Sequence, residues 1–210
     1  MFRRQFILVS LLICLTIISS GCNLNSANNN QNSDKGSVSD IGLDKYHNQS
    51  TDGKYSVFIR DIGDSRPSEN FAEGYDVYNK IIIKNNITNE ERVVVNSGKV
   101  TDLNIKNIDE FPIDILVNLS NPVFSLDNKK IFFNAAAWTT SGAVFSYDIT
   151  SGDISYLTSG EIKEIIKEGE NAGHLLLIKR KYEENKPVMY CEFVINENSG
   201  KVIEDLNICL

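Results

Sequence analysis

The stretch YDITSGDISYL, residues 147–157, has the features of two short strands joined by a tight turn. Phe145, Tyr147 and Ile149 alternate with a second set of side chains that includes Ser146 and Asp148. This two-residue period is typical of a strand with one buried face. The Thr-Ser-Gly-Asp turn supplies glycine where a tight hairpin needs a positive φ. The sequence therefore predicts a β-hairpin.

Two other segments repeat this hairpin. In VINENSGKVIEDL, the Ser-Gly pair lies 48 residues after the Ser-Gly pair of the first hairpin. In KNNITNEERVVV, Ile87 aligns with Ile149 at an offset of 62. The strands ahead of two hairpins also match, because Asp52 of TDGKYSVF aligns with Asp127 of LDNKKIFF. Repeats of this kind predict β-meander units that bury their apolar faces against one another.

Other short segments combine β-branched and aromatic residues and are bounded by turn residues, which predicts strands. They are YSVFI at 55, YNKIII at 78, RVVV at 92, KIFF at 130, HLLLI at 174 and YCEFVI at 190. One segment differs. In EIKEIIKEG, residues 161–169, the spacing of Ile162, Ile165 and Ile166 predicts a helix of about two turns.

Residues 121–160 resemble one blade of the TolB-like propeller-repeat family, whose pattern runs Pro, hydrophobic, Ser, any residue, Asp, Gly, Lys, then apolar alternation, a glycine turn and Leu-Thr. The residues that fit are Pro122, Ser125, Asp127, Lys129, Gly152, Leu157 and Thr158, and Asn128 replaces the glycine that follows the aspartate. The resemblance implies a scaffold role, and it carries over no catalytic residue.

The predicted fold class is all-β, with about three β-meander units that are similar to propeller blades. Closed propellers have four to eight blades. Three units therefore predict an incomplete propeller or a curved sandwich, or a structural subunit that completes a propeller with another chain.

The amino terminus predicts an export signal. Arg3 and Arg4 precede an apolar run from Phe6 to Ile18, which is shorter than the roughly 20 residues of a membrane span. The run ends in SSGC, which resembles the lipobox of bacterial lipoproteins, although Ser19 stands where that family usually has leucine. The resemblance implies cleavage before Cys22 and its lipidation with acyl chains such as palmitate. The alternatives are an ordinary secretory signal and an uncleaved anchor helix.

Three segments follow from this interpretation: a lipoprotein signal peptide at 1–21, the lipidated cysteine with a flexible Asn/Ser-rich tether at 22–52, and one β-repeat domain at 53–210. His47 falls in the tether, where we expect it to be solvated. The lipid anchor places the domain on the extracytoplasmic face of the cell membrane. The net charge of −7, which removal of Arg3 and Arg4 makes more negative, argues against nucleic acid as a partner.

Loops at equivalent points of stacked units are expected on one rim, and those at 60–76, 134–143 and 182–187 satisfy this condition. The candidate binding rim comprises Arg60, Asp61, Asp64, Phe71, Tyr75, Trp138, Thr139, Thr140 and Tyr182. An aromatic platform with hydroxyl groups suits an envelope protein or a glycan. The alternative is that Trp138 caps the core and that the long first loop is a tolerated insertion.

No motif predicts catalysis or a cofactor. The sequence has no Gly-x-Ser-x-Gly elbow, no His-Glu-x-x-His run and no glycine-rich phosphate loop. His174 is expected to be satisfied or exposed, and the acidic residues of 60–76 lack the spacing of a calcium loop. The sequence therefore predicts a binding protein without a metal, and the alternative is an envelope hydrolase with an unrecognised carboxylate pair.

Cys191 and Cys209 form an even pair outside the cytoplasm, which is consistent with a disulfide. If the last hairpin turns at residues 198–199, however, Cys191 opposes Leu206, three residues short of Cys209. A disulfide would then need a bulge or a curled tail, so the pairing stays open. The two cysteines lack the close spacing of a structural zinc site.

Overall fold

Three sheets follow one another along the chain, one for each predicted repeat unit. The computed structural model describes residues 44–62, 78–103, 105–107, 115–138, 141–184 and 187–209. Apart from one short 3-10 helix, the regular structure of these residues consists of strands, and none of their helices is long and apolar enough to span a membrane. The predicted signal peptide, Cys22 and the tether up to residue 43 lie outside the described residues.

The first unit is an antiparallel four-stranded meander in the order β1-β2-β3-β4. Its strands are β1 (Asp44–Gln49), β2 (Tyr55–Asp61), β3 (Asn79–Asn85) and β4 (Glu91–Asn96). Strand β1 lies inside the predicted tether, so the prediction of a flexible segment is wrong for residues 44–49. This strand is polar and largely exposed, and its neighbour β2 holds it in place, which composition cannot indicate. His47 is exposed as predicted, but its ring stacks on Phe58 with 5.2 Å between the centroids.

The second unit contains six strands in the order β5-β7-β8-β9-β10-β6. They are β5 (Gly98–Lys99), β6 (Ile105–Lys106), β7 (Ile115–Phe124), β8 (Lys130–Trp138), β9 (Ser141–Asp148) and β10 (Ile154–Ser159), with the 3-10 helix Val100–Asp102 between β5 and β6. The strands from β7 to β10 form the same meander as the first unit. Strand β5 adds antiparallel to β7, and β6 adds parallel to β10.

The third unit is again a four-stranded meander, with strands β11 (Glu161–Ile165), β12 (Leu175–Lys181), β13 (Met189–Ile195) and β14 (Val202–Cys209). The helix predicted at 161–169 is wrong, because β11 pairs with β12. A bulge between Ile162 and Glu164 inserts one residue, so that Ile162 and Ile165 are both buried in the same apolar cluster. A bulged strand has thus produced the three-residue spacing that resembled a helix.

Two apolar cores lie between the three units, one at each interface. On β8, Ile131 and Phe133 pack in the core against the first unit, whereas Phe132 packs in the core against the third. The second unit is therefore buried on both faces, as alternation along a strand between two neighbours requires. The fold is an incomplete propeller of three blade-like meanders, which confirms the predicted fold class.

Each unit closes the hairpin between its third and fourth strands in the same way. The side chain of Asn85, Asp148 or Asn196 accepts hydrogen bonds from two backbone N–H groups of the turn. The residue four positions later has a positive φ in every case. This geometry confirms the offset of 48, but Asn85 rather than Asn86 is the equivalent of Asp148. The first offset is therefore 63, and the adjacent asparagines concealed the register.

A disulfide joins Cys191 to Cys209 across the last hairpin. Ile195 lies opposite Val202, as the predicted turn requires, but Cys191 lies opposite Cys209. Two register shifts along β13 and β14 supply the three extra residues. The two bulges thus bring Cys209, rather than Leu206, opposite Cys191.

Candidate functional site

The three segments assigned to the candidate rim contain the connections between the second and third strands of their units, so these connections lie at equivalent ends of the three sheets. The prediction of a loop at 134–143 is wrong for most of its residues, because β8 runs to Trp138 and β9 begins at Ser141. Tyr182 is 70% exposed there. Trp138 is the last residue of β8, and its backbone lies opposite Ser141. The side chain of Trp138 and the whole of Asp64, Phe71, Tyr75, Thr139 and Thr140 lie outside the described residues.

Arg60 and Asp61 are occupied by contacts within the first unit. The Arg60 guanidinium lies between two carboxylates, with Nε 2.8 Å from Asp44 Oδ1 and Nη1 2.9 Å from Glu91 Oε2. These two partners raise the pKa of Arg60, whose charge therefore persists. Asp61 Oδ2 accepts a hydrogen bond from Lys45 Nζ at 2.7 Å. Both side chains hold β1 and β4 to β2, so they contribute to stability at the rim.

A cleft of about 340 Å³ lies between the first and second units, at the ends of the strands opposite to the rim. The first unit contributes most of its walls, and the second closes one side with two residues. The lining residues are Tyr55, Ile83, Asn85, Glu90, Glu91, Arg92, Asn128 and Ile149. Cavities of this volume are typical of sites for small ligands.

The floor of the cleft is apolar and its mouth is charged. Ile83 is buried at the floor, while Glu90, just before β4, and Arg92, near its start, are exposed. Tyr55, at the start of β2, is 39% exposed and presents an aromatic ring beside them. The cleft therefore combines an aromatic surface for stacking with one positively and one negatively charged hydrogen-bonding group.

Two equivalent turns hold one side of the cleft together. Asn128 Oδ1 accepts a hydrogen bond from the Thr51 backbone N–H at 2.9 Å, and Asn128 Nδ2 donates to Thr51 Oγ1 at 2.7 Å. Asn128 has a φ of 59°, a conformation that asparagine tolerates better than most residues. This explains why asparagine can replace glycine in the repeat pattern, since its amide links the two turns.

Buried amides hold neighbouring units at the other end of the strands. Asn79 on β3 donates to the carbonyl of Leu119 at 2.8 Å and accepts from its N–H at 3.0 Å. Asn134 on β8 donates to the carbonyl of Gly160 at 3.1 Å and accepts from the N–H of Ile162 at 3.0 Å. Each amide thus bonds both a donor and an acceptor of the next unit, and the two fix how the units pack.

Two further titratable groups, His174 and Lys179, have structural partners. His174 precedes β12, and its Nδ1 lies 2.5 Å from Glu197 Oε2, so it is satisfied as predicted. Burial lowers the pKa of Lys179, whose Nζ donates to Thr158 Oγ1 at 2.9 Å between the second and third units. Among the described residues, no three His, Cys, Asp or Glu side chains are placed to hold a metal ion together.

No protein-family model matches the chain, and no curated protein matches it. Several solved structures are similar to it at low identity. Pyrococcus horikoshii acylaminoacyl peptidase is 14% identical over 79% of this chain and 25% of its own, with a TM-score of 0.49. The β-propeller domain of the Trilobed protease from Pyrococcus furiosus is 16% identical over 79% of this chain and 42% of its own, with a TM-score of 0.48.

TolB from Acinetobacter baumannii is 16% identical over 76% of this chain and 42% of its own, with a TM-score of 0.29. The chain thus spans less than half the length of each of these three proteins. The likeness concerns the propeller-like fold alone.

Sequence reasoning did not find the cleft, because its walls come from two units and form only when they pack. One signal was available. The aligned repeats place the Ser-x-Asp turns at residues 50–52 and 125–127 at the same end of their sheets. The residues just after these turns bond the hairpins that flank the cleft, since the Gly53 carbonyl accepts from Asn86 and the Lys129 carbonyl accepts from the Ile149 N–H.

Proposed function

We propose that this protein is a lipid-anchored binding module on the extracytoplasmic face of the membrane, and that its ligand occupies the cleft between the first two units. The cleft itself is the observation that carries the proposal. It combines a half-open volume of about 340 Å³, an aromatic ring and both charges on a scaffold of strands and hydrogen-bonded turns. A preformed site of this kind loses little entropy when a ligand binds.

The anchor rests on the sequence. An apolar run too short to span a bilayer ends in SSGC, and two acyl chains hold a protein to a membrane durably. Mass spectrometry of the protein from its native membrane should find Cys22 amino-terminal and carrying acyl chains. An unmodified cysteine at this position would refute the anchor without affecting the cleft.

The chemistry of the cleft suits a glycan or a short peptide. Tyr55 offers an apolar ring face, while Arg92 and Glu90 can bond to hydroxyl, amide and carboxylate groups at the mouth. The negative charge of the chain disfavours polyanions elsewhere on the surface. Soluble cell-wall fragments that carry both amino sugars and short peptides are therefore the first probe.

Binding of these fragments by the full chain should be measured by calorimetry. Tyr55→Ala should weaken binding about tenfold, as expected when a central aromatic contact is lost. Tyr182→Ala removes an exposed tyrosine at the opposite end and is the matched control, with little effect expected. Circular dichroism verifies that both variants keep their strands. Equal affinities of the three proteins would reject the cleft as the site.

The rim is a second candidate site, since its three loops lie at equivalent ends of the units and Tyr182 is largely exposed there. The same titration distinguishes the two surfaces. If Tyr182→Ala and Trp138→Ala weaken binding and Tyr55→Ala does not, the ligand occupies the rim. Loss of binding in both sets would indicate a ligand long enough to contact both ends.

A further inference from the structure

The three units differ in what covers the free edge of their last meander strand. In the second unit, β6 covers the outer strand β10 in parallel, with Ile105 opposite Ile154 and Lys106 opposite Ser155. Lys106 Nζ also lies 2.6 Å from Asp153 Oδ2. The chain itself therefore shows how an extended segment binds to the outer edge of one unit. It uses short strand pairing, an apolar side chain and one ion pair.

The first unit has charges at the equivalent positions. The offset of 63 places Glu90, which precedes β4, and Glu91 and Arg92 of β4 where the second unit has Asp153, Ile154 and Ser155. Charged side chains on an edge strand discourage pairing with another chain. This edge is therefore protected by its own residues.

The third unit has neither device at these positions of its outer strand. The charged residues of β14, Glu204 and Asp205, lie further along the strand and bond Asn171 and Lys181. The offset of 48 places Val202 and Ile203 of β14 at the positions of Ile154 and Ser155, and they are 51% and 46% exposed. Among the described strands, β14 pairs with β13 alone. Ile203 is the extra residue of a bulge, so it departs from regular alternation and leaves two consecutive apolar side chains half exposed.

The charge beside this edge is reversed. Lys201 is exposed and occupies the position of Asp153, which in the second unit binds the lysine of β6. A segment that paired with β14 as β6 pairs with β10 would therefore place its own charged residue near a lysine. To form an ion pair with Lys201, that residue of the segment must be acidic.

We infer that the outer edge of β14 is a docking site for an extended segment of a partner protein. The segment would run parallel to β14, with an apolar residue beside Val202 and an acidic residue next to it, close to Lys201. The disulfide between Cys191 and Cys209 ties the far end of β14 to β13, so the edge is held in place before binding. This inference is independent of the cleft and of its ligand.

Two capped hexapeptides based on residues 103–108 test it, namely the natural LNIKNI and a version in which the lysine is replaced by glutamate, LNIENI. Hydrogen exchange of the full chain locates binding, and fluorescence anisotropy measures affinity. LNIENI should slow exchange in residues 202–205 and should bind about two- to fivefold more tightly than LNIKNI, the range expected for one exposed ion pair. Lys201→Glu should reverse this preference.

Two controls separate strand pairing from unspecific adhesion. LNIENI with an N-methyl group on its central isoleucine keeps every side chain but cannot donate that backbone hydrogen bond, and it should lose binding. The variant Val202→Thr/Ile203→Thr keeps β-branched residues and should weaken binding. The inference is overturned if exchange in β14 is unchanged, if N-methylation or Lys201→Glu has no effect, or if light scattering shows that a second copy of the chain covers this edge.

Discussion

Replacing Asn134 by alanine should destabilise the protein by about 3 kcal/mol. The side chain is 6% exposed and bonds the Ile162 N–H at 3.0 Å and the Gly160 carbonyl at 3.1 Å. Without the amide, both backbone groups lose their partner inside the protein, and each such group costs about 1–3 kcal/mol. For a domain of this size, the midpoint of thermal unfolding should fall by on the order of 10 °C.

Asn134→Asp gives a sharper test of the same contacts, because it keeps the shape of the side chain. One carboxylate oxygen can still accept from Ile162, but the other faces the carbonyl oxygens of Gly160 and Ala143, where the amide donates at present. Burial and these carbonyls should raise the pKa of the new aspartate in the folded state. Its protonated form can donate to Gly160.

Proton linkage gives the direction in which the stability of Asn134→Asp changes with pH. A folded-state pKa above the unfolded value means that the folded protein holds the proton more tightly, so the variant should gain stability relative to wild type as the pH falls from about 7 to 4.5. Urea unfolding followed by far-ultraviolet circular dichroism measures this difference. The exposed Asn198→Ala is the control for Asn134→Ala and should change stability by less than about 0.5 kcal/mol. Equal costs for these two alanine variants, together with a flat pH difference for Asn134→Asp, would refute the role of the amide.

Three further outcomes are expected. Hydrogen bonds from the turn, chiefly from the Ser151 backbone, lower the pKa of Asp148. Wild type should therefore lose stability as the pH falls below the ordinary value of 3.8. Asp148→Asn should show a shallower loss in acid-unfolding titrations. Reducing the disulfide, which links residues 18 apart, should lower the free energy of unfolding by about 3 kcal/mol, measured by urea unfolding with and without reductant. Gly200→Ala should lower the free energy of unfolding by about 3 kcal/mol, because its Cβ would overlap the Leu157 carbonyl oxygen and the residue has a φ of +67°. The Cβ of Gly169→Ala meets no atom within 4 Å. This variant should cost about 1–2 kcal/mol in the same assay.

The parts of the fold that depend on local chemistry were predictable. Strands with a two-residue period and turns with Gly or Asn at a positive φ identified the repeated hairpins, and the three units confirm them. The errors arose where a local pattern has two physical causes. Apolar residues three apart, as at Ile162 and Ile165, suit one face of a helix and also a strand with a bulge between them. Pairing with β12 decides between these causes, and no local pattern records that pairing.

Features formed between units were beyond local reasoning, although some left a signal. Asparagine is depleted in strands, yet Asn79 and Asn134 each lie within an apolar strand segment. Their buried amides bond the backbone of the following unit. A polar residue at a core position of a repeat could therefore have been interpreted as a link between units. The cleft has no comparable signature, since its lining residues are ordinary turn and edge residues until two units meet.

The outer faces of the two end units differ in composition from the two faces of the middle unit. Both faces of the second unit are apolar and buried. On the face of the first unit that points away from the second, Arg60 bonds Asp44 and Glu91, and on the corresponding face of the third unit Lys163 bonds Glu192. The same outer faces also carry buried apolar side chains, namely Phe58 and Ile82 on the first unit and Leu176 and Val194 on the third. Each end unit therefore combines ion pairs with an apolar centre on its outer face, whereas both faces of the second unit are apolar.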